Sequence, residues 1–142
     1  MNYIYNSSNY TNVFEKDINE ANKSIIISSP SINEEKVYRF IDLIKNRQEA
    51  GVNTSIIVND DNDESLIYDM RRAGIEVIKK DLQECFAIYD DLVWRGGMNL
   101  LGKADIFDNL MRIKSAEAAS ELLMKEYEGK EWGRELYNTH VK

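Results

Sequence analysis

The spacing of apolar residues along the chain alternates between helical and strand-like periods. The clearest helical segment places Val37, Phe40, Ile41 and Ile44 at positions i, i+3, i+4 and i+7, and Gly51 ends it. Each helix of this kind begins at a polar residue that can cap it. Helices are predicted over residues 12–22, 31–50, 61–73 and 115–127, with caps at Asn12, Ser31, Asp61 and Ser115.

Short runs rich in β-branched residues separate these helices and predict strands. The first three runs alternate with helices, which implies right-handed crossovers and parallel pairing. The next two meet at Asp90 and Asp91 and predict an antiparallel hairpin. We therefore expect an α/β domain with a mixed, mainly parallel sheet flanked by helices. The predicted strands are residues 24–28, 55–58, 75–78, 85–89, 92–95 and 109–113.

Composition narrows the class of protein. The chain has 142 residues, of which 43% are hydrophobic and 30% charged, as in a single folded globular domain. We expect residues 1–142 to form that domain, with a core over about 5–127 and a tail or short helix over 128–142. One cysteine and one histidine cannot build a disulfide or a Cys/His zinc site, so no metal and no cofactor is expected. No apolar run is long enough to span a bilayer and no signal peptide is evident, so a cytoplasmic location is predicted.

Charge argues against a general nucleic-acid binder, because the net charge of −7 repels phosphate backbones at long range. A local basic segment is the exception. It consists of Arg71, Arg72, Lys79 and Lys80, interrupted by a single acid, Glu76. Two interpretations stay open: a solvated helix and strand edge, or a local site for the phosphates of DNA.

Polar residues around the predicted hairpin are candidates for a site. In an extended strand Gln83 and Cys85 project to the same side, and the strand ends at Asp90. Asn99 follows the partner strand directly after two glycines, which let other groups approach the backbone closely. These side chains could converge on one pocket.

The pattern of these residues resembles the phospholipase D superfamily. That family carries His-x-Lys-x-x-x-x-Asp, then Gly-Ser-x-Asn, then an acidic residue or Asn beside a strand. The corresponding elements here are Gln83-x-Cys85-x-x-x-x-Asp90, Gly96-Gly97-x-Asn99 and Asp108-Asn109. Upstream, Phe14, Asp17 and Ala21 resemble the family's first helix. Residues 93–102 resemble most the single-motif domains of bacterial helicase-like and mobile-element proteins.

The resemblance implies a degenerate active site. The positions of the family's nucleophilic His and phosphate-binding Lys hold Gln83 and Cys85, while Asp90, Asn99 and Asp108 match. A carboxamide is neither a nucleophile nor a proton shuttle, and a thiol cannot supply the positive charge of lysine. A catalytically inactive domain is therefore predicted. A separate role for Cys85 as a nucleophile is less favoured than a buried, apolar role.

Three functions follow from this resemblance. The first is a DNA-binding accessory of a mobile-element or helicase system, with phosphate held by Asn99, by Arg95 in place of the missing lysine, and by the basic segment. The second is protein interaction, in particular homodimerisation, since single-motif members of the family bring two motifs together in a two-fold dimer. The third is a residual phosphodiesterase.

Overall fold

A computed structural model of the chain describes residues 3–81, 84–105 and 107–127. Within these residues, four helices and seven strands follow one another, and all seven strands belong to a single sheet. The strands are β1 (Tyr3–Asn6), β2 (Ser24–Ser28), β3 (Asn53–Val58), β4 (Glu76–Lys79), β5 (Cys85–Tyr89), β6 (Leu92–Gly96) and β7 (Asn109–Lys114). The helices are α1 (Thr11–Glu20), α2 (Glu34–Glu49), α3 (Glu64–Arg72) and α4 (Ala116–Tyr127).

The sheet has the strand order β1-β7-β6-β5-β2-β3-β4. Only the β2–β3 and β3–β4 pairs are parallel. The other four pairs, β1–β7, β7–β6, β6–β5 and β5–β2, are antiparallel. The predicted mixed sheet is confirmed, but the prediction that it is mainly parallel is wrong. The reason is that the hairpin joins the sheet beside β2, and β7 and β1 continue the antiparallel pairing beyond it.

The helices lie where the apolar spacing predicts them, but three caps differ. Asn12 lies inside α1, which begins after Tyr10 and has no side-chain cap hydrogen bond. Asn33, not Ser31, caps α2, and its side chain accepts a hydrogen bond from the backbone nitrogen of Lys36 at 2.9 Å. Asp63, not Asp61, caps α3 through the backbone nitrogen of Ser65. The predicted cap of α4 is correct, since the Ser115 hydroxyl accepts from the Ala118 nitrogen at 3.0 Å.

Two hydrophobic layers cover the sheet. Apolar residues of α1, α2 and α3 pack on one face, together with Ile25, Ile27 and the fully buried Trp94. Leu122 and Leu123 of α4 pack on the other face, against residues such as Phe86. No helix in the described part of the chain is long and apolar enough to cross a membrane. The predicted tail over residues 128–142 lies outside the described residues.

Candidate functional site

The candidate site lies at the end of the sheet where β5 and β7 begin and β6 finishes, which we call the motif end. Cys85, Gly96 and Leu110 are aligned there across three adjacent strands. A side chain at Gly96 would collide with the backbone carbonyl oxygen of Asn109, so only glycine fits this close approach. Gly97, the next residue, has open space around its Cβ position. The glycine pair thus combines a tight backbone contact with an open neighbouring surface.

Cys85 and Asn99 meet at this end of the sheet, as the sequence predicts. The Cys85 Sγ is 3.8 Å from the Asn99 Oδ1. The same oxygen accepts a hydrogen bond from the backbone nitrogen of Ser31 at 2.9 Å. Asn99 is therefore positioned by the loop that follows β2, and its carbonyl oxygen faces the thiol. Gln83 lies outside the described residues.

The electrostatic environment of Cys85 is unfavourable to anions. Its side chain is buried, with 8% of its surface exposed. Burial, followed by the negative charges of Glu84 and Asp108, raises the pKa of the thiol to about 11. Cys85 therefore stays protonated and neutral near neutral pH, which argues against a nucleophilic thiolate. Asp108, whose Oδ2 accepts from the Asp105 nitrogen at 2.7 Å, adds negative charge near the Cys85 thiol.

Asp90 lies at the opposite end of β5, which we call the Asp90 end. Five residue steps along a strand separate it from Cys85 by about 16 Å. Its carboxylate accepts hydrogen bonds from the backbone nitrogens of Asn22, Lys23 and Ser24 at 2.9, 2.7 and 3.1 Å. Asp90 also adopts a positive φ of 56°, which Asp tolerates better than most residues. Its role is to fix the turn and the loop before β2, and it does not reach the candidate site.

The predicted basic residues lie on α3, on and directly after β4, and on β6, and several of them are paired. Arg95 is at the motif end, but its Nη2 is 3.6 Å from the Glu84 Oε2. Arg71 donates to the backbone oxygen of Val77 at 3.0 Å, and Lys79 is paired with Glu64. These contacts orient α3 against β4 so that Lys79 and Lys80 lie at the motif end, while Arg71 and Arg72 lie towards the Asp90 end. About three strand spacings, or roughly 14 Å, separate β4 from β5.

A buried polar cluster at the Asp90 end was not identified from the sequence. Asp17 of α1 is 3% exposed and accepts hydrogen bonds from the Trp94 Nε1 at 2.7 Å and from the Arg112 Nε at 2.8 Å. A second Arg112 nitrogen, Nη2, donates to the other carboxylate oxygen at 2.8 Å. This bidentate pair raises the pKa of Arg112. The sequence signal was an acid on the apolar face of α1, between Phe14 and Ile18.

Asp17, Arg112 and Asp90 line a cavity of about 270 Å³ at the Asp90 end. Tyr89, also in its lining, has a buried hydroxyl that makes no hydrogen bond with the described residues. No three His, Cys, Asp or Glu side chains in residues 3–81, 84–105 and 107–127 come together as metal ligands would. Asp17 and Arg112 pair with each other, and Asp90 accepts from backbone nitrogens, so these three residues stabilise the fold around the cavity.

Comparison with known proteins identifies both the family and the fold. A family model described as the transcriptional regulator TrmB, EBD N-terminal subdomain, matches residues 1–95. No curated protein matches the chain.

Solved structures resemble the chain over almost its whole length. Nuc from Salmonella typhimurium, a phospholipase D family member, has a TM-score of 0.72 and 16% identity, with 98% of this chain and 95% of Nuc covered. NucT from Helicobacter pylori has a TM-score of 0.68 and 18% identity, with 98% and 96% covered.

A further similar structure is that of TrmBL2, an archaeal chromatin protein whose structure is described as showing a novel mode of DNA binding. Its TM-score is 0.67 and its identity 19%; 96% of this chain is covered, but the chain spans only 52% of TrmBL2. The likeness to Nuc and NucT confirms a phospholipase-D-like fold. The chain, by the match over residues 1–95, belongs to the family of the EBD N-terminal subdomain of the transcriptional regulator TrmB.

Proposed function

We propose that the chain is a catalytically silent phospholipase-D-like domain that serves as a binding module of a nucleic-acid-associated protein. The observation that most directly supports the proposed absence of catalysis is the chemical environment of Cys85. Where the resembled family has a lysine, this chain has a buried thiol whose pKa is about 11, with Glu84 and Asp108 nearby. A neutral group among acids stabilises neither the bound phosphate nor the charge that develops during its transfer.

The motif also lacks its nucleophile. Gln83 stands at the family's histidine position, and a carboxamide neither attacks phosphorus nor relays a proton. Removing the nucleophile of a catalytic group that acts as a unit costs on the order of a millionfold in rate. With both groups replaced, hydrolysis by the family's route is negligible.

Association with nucleic acid is supported by the comparisons. The matching family belongs to a transcriptional regulator, and TrmBL2 is a chromatin protein. The acidic surroundings of Cys85 make the motif itself a poor phosphate site. We therefore place the contacts at the motif end of β4, at Lys79, its last residue, and at Lys80, which follows it. The net charge of −7 predicts weak, salt-dependent binding. The more specific role in a mobile-element or helicase system stays a prediction.

The test is binding of single- and double-stranded DNA at low and moderate salt, followed by fluorescence anisotropy. We expect Lys79→Ala with Lys80→Ala to weaken binding and to reduce its dependence on salt. Replacing the exposed Lys16 and Lys45 by alanine makes the same change in net charge and serves as the control. If the wild type shows no salt-dependent binding at low salt, or if both double variants bind alike, this site is wrong.

A second candidate function is homodimerisation. Ile4 and Met111 lie opposite each other on adjacent strands and are 70% and 44% exposed, and Phe107, two residues before β7, is 82% exposed. Several exposed apolar side chains in one region of the sheet support a contact with another protein. Light scattering tests this function independently of DNA binding. A strict monomer at high concentration would contradict it.

A further inference from the structure

The cavity at the Asp90 end is lined by more negative than positive side chains. Its charged residues are Asp17, Glu20, Asp90, Asp91, Arg112 and Lys114. Four carboxylates against two cations leave an excess of two negative charges. Asp17 and Asp90 are held by fold contacts, with Arg112 and with backbone nitrogens. Glu20 and Asp91 are exposed to solvent, so their carboxylates are the negative groups that an entering ligand meets first.

A buried hydroxyl is the second feature of this cavity. Tyr89 belongs to the lining and is 2% exposed, and its hydroxyl has no hydrogen-bond partner among the described residues. Burial, followed by the negative charge of Asp17, raises the pKa of this hydroxyl well above its usual value, so it stays neutral. Because Asp17 lies in the same lining, its influence places the Tyr89 hydroxyl on the cavity side of the ring. A buried hydroxyl without a partner costs free energy, and a polar ligand atom in the cavity would remove that cost.

The end of helix α1 also favours a cation. The last turn of α1 reaches the cavity at Asp17 and Glu20 and contains no basic residue. The carbonyl end of a helix carries a partial negative charge, which stabilises cations nearby. Arg47 of α2 illustrates this, since its Nη2 donates to the carbonyl oxygen of Ala21, directly after the helix, at 2.6 Å.

The charge of the whole chain and the types of lining residue narrow the class of cation. A net charge of −7 attracts cations into an acidic cleft and repels anions. A metal ion is disfavoured, because within the described part of the chain His, Cys, Asp and Glu side chains nowhere group in threes as ligands. The cavity volume of about 270 Å³ lies just below the ~300–1,000 Å³ of pockets for drug-sized molecules, so the ligand is small.

We propose that this cavity binds a short alkyl diamine, whose two ammonium groups match the two excess negative charges of the lining. One ammonium pairs with the exposed carboxylates of Glu20 and Asp91. The other donates an N–H to the Tyr89 hydroxyl, which as a neutral phenol can accept it. The site lies at the opposite end of the sheet from Cys85, and the proposal goes beyond the DNA binding proposed above and does not depend on it.

Isothermal titration calorimetry of the full chain with butane-1,4-diamine tests the site. The titration is made at about 0.15 M salt, where a screening length of about 8 Å weakens general attraction to an acidic chain. We expect saturable binding to the wild type. Glu20→Gln with Asp91→Asn should weaken it by about tenfold or more, because charged hydrogen-bond acceptors are lost. Glu35→Gln with Asp42→Asn, at exposed positions of α2, makes the same change in net charge and should leave binding unchanged.

Two further titrations locate the ligand inside the cavity. Tyr89→Phe should weaken binding by about fivefold, through the loss of one hydrogen bond, without lowering the stability of the ligand-free chain. Butane-1,4-diol has the same length without charge and should bind about tenfold more weakly or not at all.

Several results would overturn the proposal. They are an absence of saturable binding of the diamine to the wild type, equal binding by the two double variants, and equal binding of the diol and the diamine. Wild-type affinity in Tyr89→Phe would overturn the placement of an ammonium at that hydroxyl. None of these results bears on DNA binding at Lys79 and Lys80 or on the loss of catalysis at Cys85.

Discussion

The two ends of strand β5 carry the two halves of the Gln83-x-Cys85-x-x-x-x-Asp90 motif, and the contacts of the two halves differ. At the Asp90 end, the carboxylate accepts three backbone hydrogen bonds from residues 22–24. At the motif end, Cys85 is a buried, neutral thiol whose polar contact is the Asn99 Oδ1 at 3.8 Å. The part of the motif that remains is therefore the part that stabilises the fold. The part that has changed is the part to which the resemblance assigns phosphate binding.

The largest expected effect belongs to the buried cluster at the Asp90 end. Asp17→Ala leaves the Arg112 guanidinium and the Trp94 Nε1 without their acceptor. Breaking a buried ion pair in this way costs about 3–5 kcal/mol in the free energy of unfolding. Urea denaturation monitored by circular dichroism measures it, and Asp42→Ala, at an exposed position of α2, is the control. Equal midpoints for the two variants would mean that the cluster contributes nothing.

The next effect concerns Asp90 itself. Asp90→Ala removes the acceptor of three backbone N–H groups and places alanine at a φ of 56°. We therefore expect the free energy of unfolding to fall by about 3 kcal/mol. Asp90→Asn should lose less, since it keeps one acceptor oxygen and tolerates positive φ. Asp91→Ala, at the neighbouring exposed residue, is the matched control. A loss at Asp91 as large as that at Asp90 would contradict the assigned role.

At the motif end, the prediction concerns reactivity rather than stability. Burial, Glu84 and Asp108 raise the pKa of the Cys85 thiol from 9.0 to about 11, so less thiolate is present in the folded chain. At about pH 8 this shift alone slows alkylation by iodoacetamide about a hundredfold relative to the urea-unfolded chain. The folded-state rate should keep rising with pH until the solution approaches the raised pKa. Mass spectrometry follows the reaction, and equal rates in the two states would show an exposed, reactive thiol.

The smallest expected effect is a difference in stability between the phenylalanine variants of two buried tyrosines. The Tyr10 hydroxyl donates to the Leu100 carbonyl oxygen at 3.0 Å, while the Tyr89 hydroxyl has no partner among the described residues. Tyr10→Phe should therefore destabilise the folded state by about 1 kcal/mol. Tyr89→Phe should leave its stability unchanged or raise it by up to about 1 kcal/mol. Thermal unfolding of both variants measures the difference. A destabilised Tyr89→Phe would indicate a partner for that hydroxyl.

The parts of the fold that the sequence predicts are those whose signal lies within a few neighbouring residues. The helices, the hairpin at Asp90 and the Ser115 cap follow from periodicity and turn chemistry within a few residues. Strand β1 was missed, because Tyr3–Asn6 is too short to show a period and is fixed only by pairing with β7, more than a hundred residues later. The mainly parallel sheet was wrong for the same reason, since strand order depends on contacts between distant segments.

The same distinction between local and distant contacts applies to the candidate site. The meeting of Cys85 and Asn99 was predicted, because both flank one hairpin. The Asp17–Arg112 pair was not, because its members are 95 residues apart in the chain. The internal contacts of the basic segment were not predicted: Arg71 donates to the Val77 carbonyl oxygen, and Lys79 is paired with Glu64, both through residues distant from them in the fold pattern read from the sequence.

The central claim is that the scaffold of a phosphate site persists without its chemistry, and a phosphodiesterase assay tests it most directly. The wild type, the Gln83→His plus Cys85→Lys variant and an active enzyme of the phospholipase D family would be compared on one phosphodiester substrate. We predict no turnover above background for the wild type, and any gain only in the variant with both groups restored. Hydrolysis by the wild type at the rate of the restored variant, abolished by Asn99→Ala, would contradict the claim.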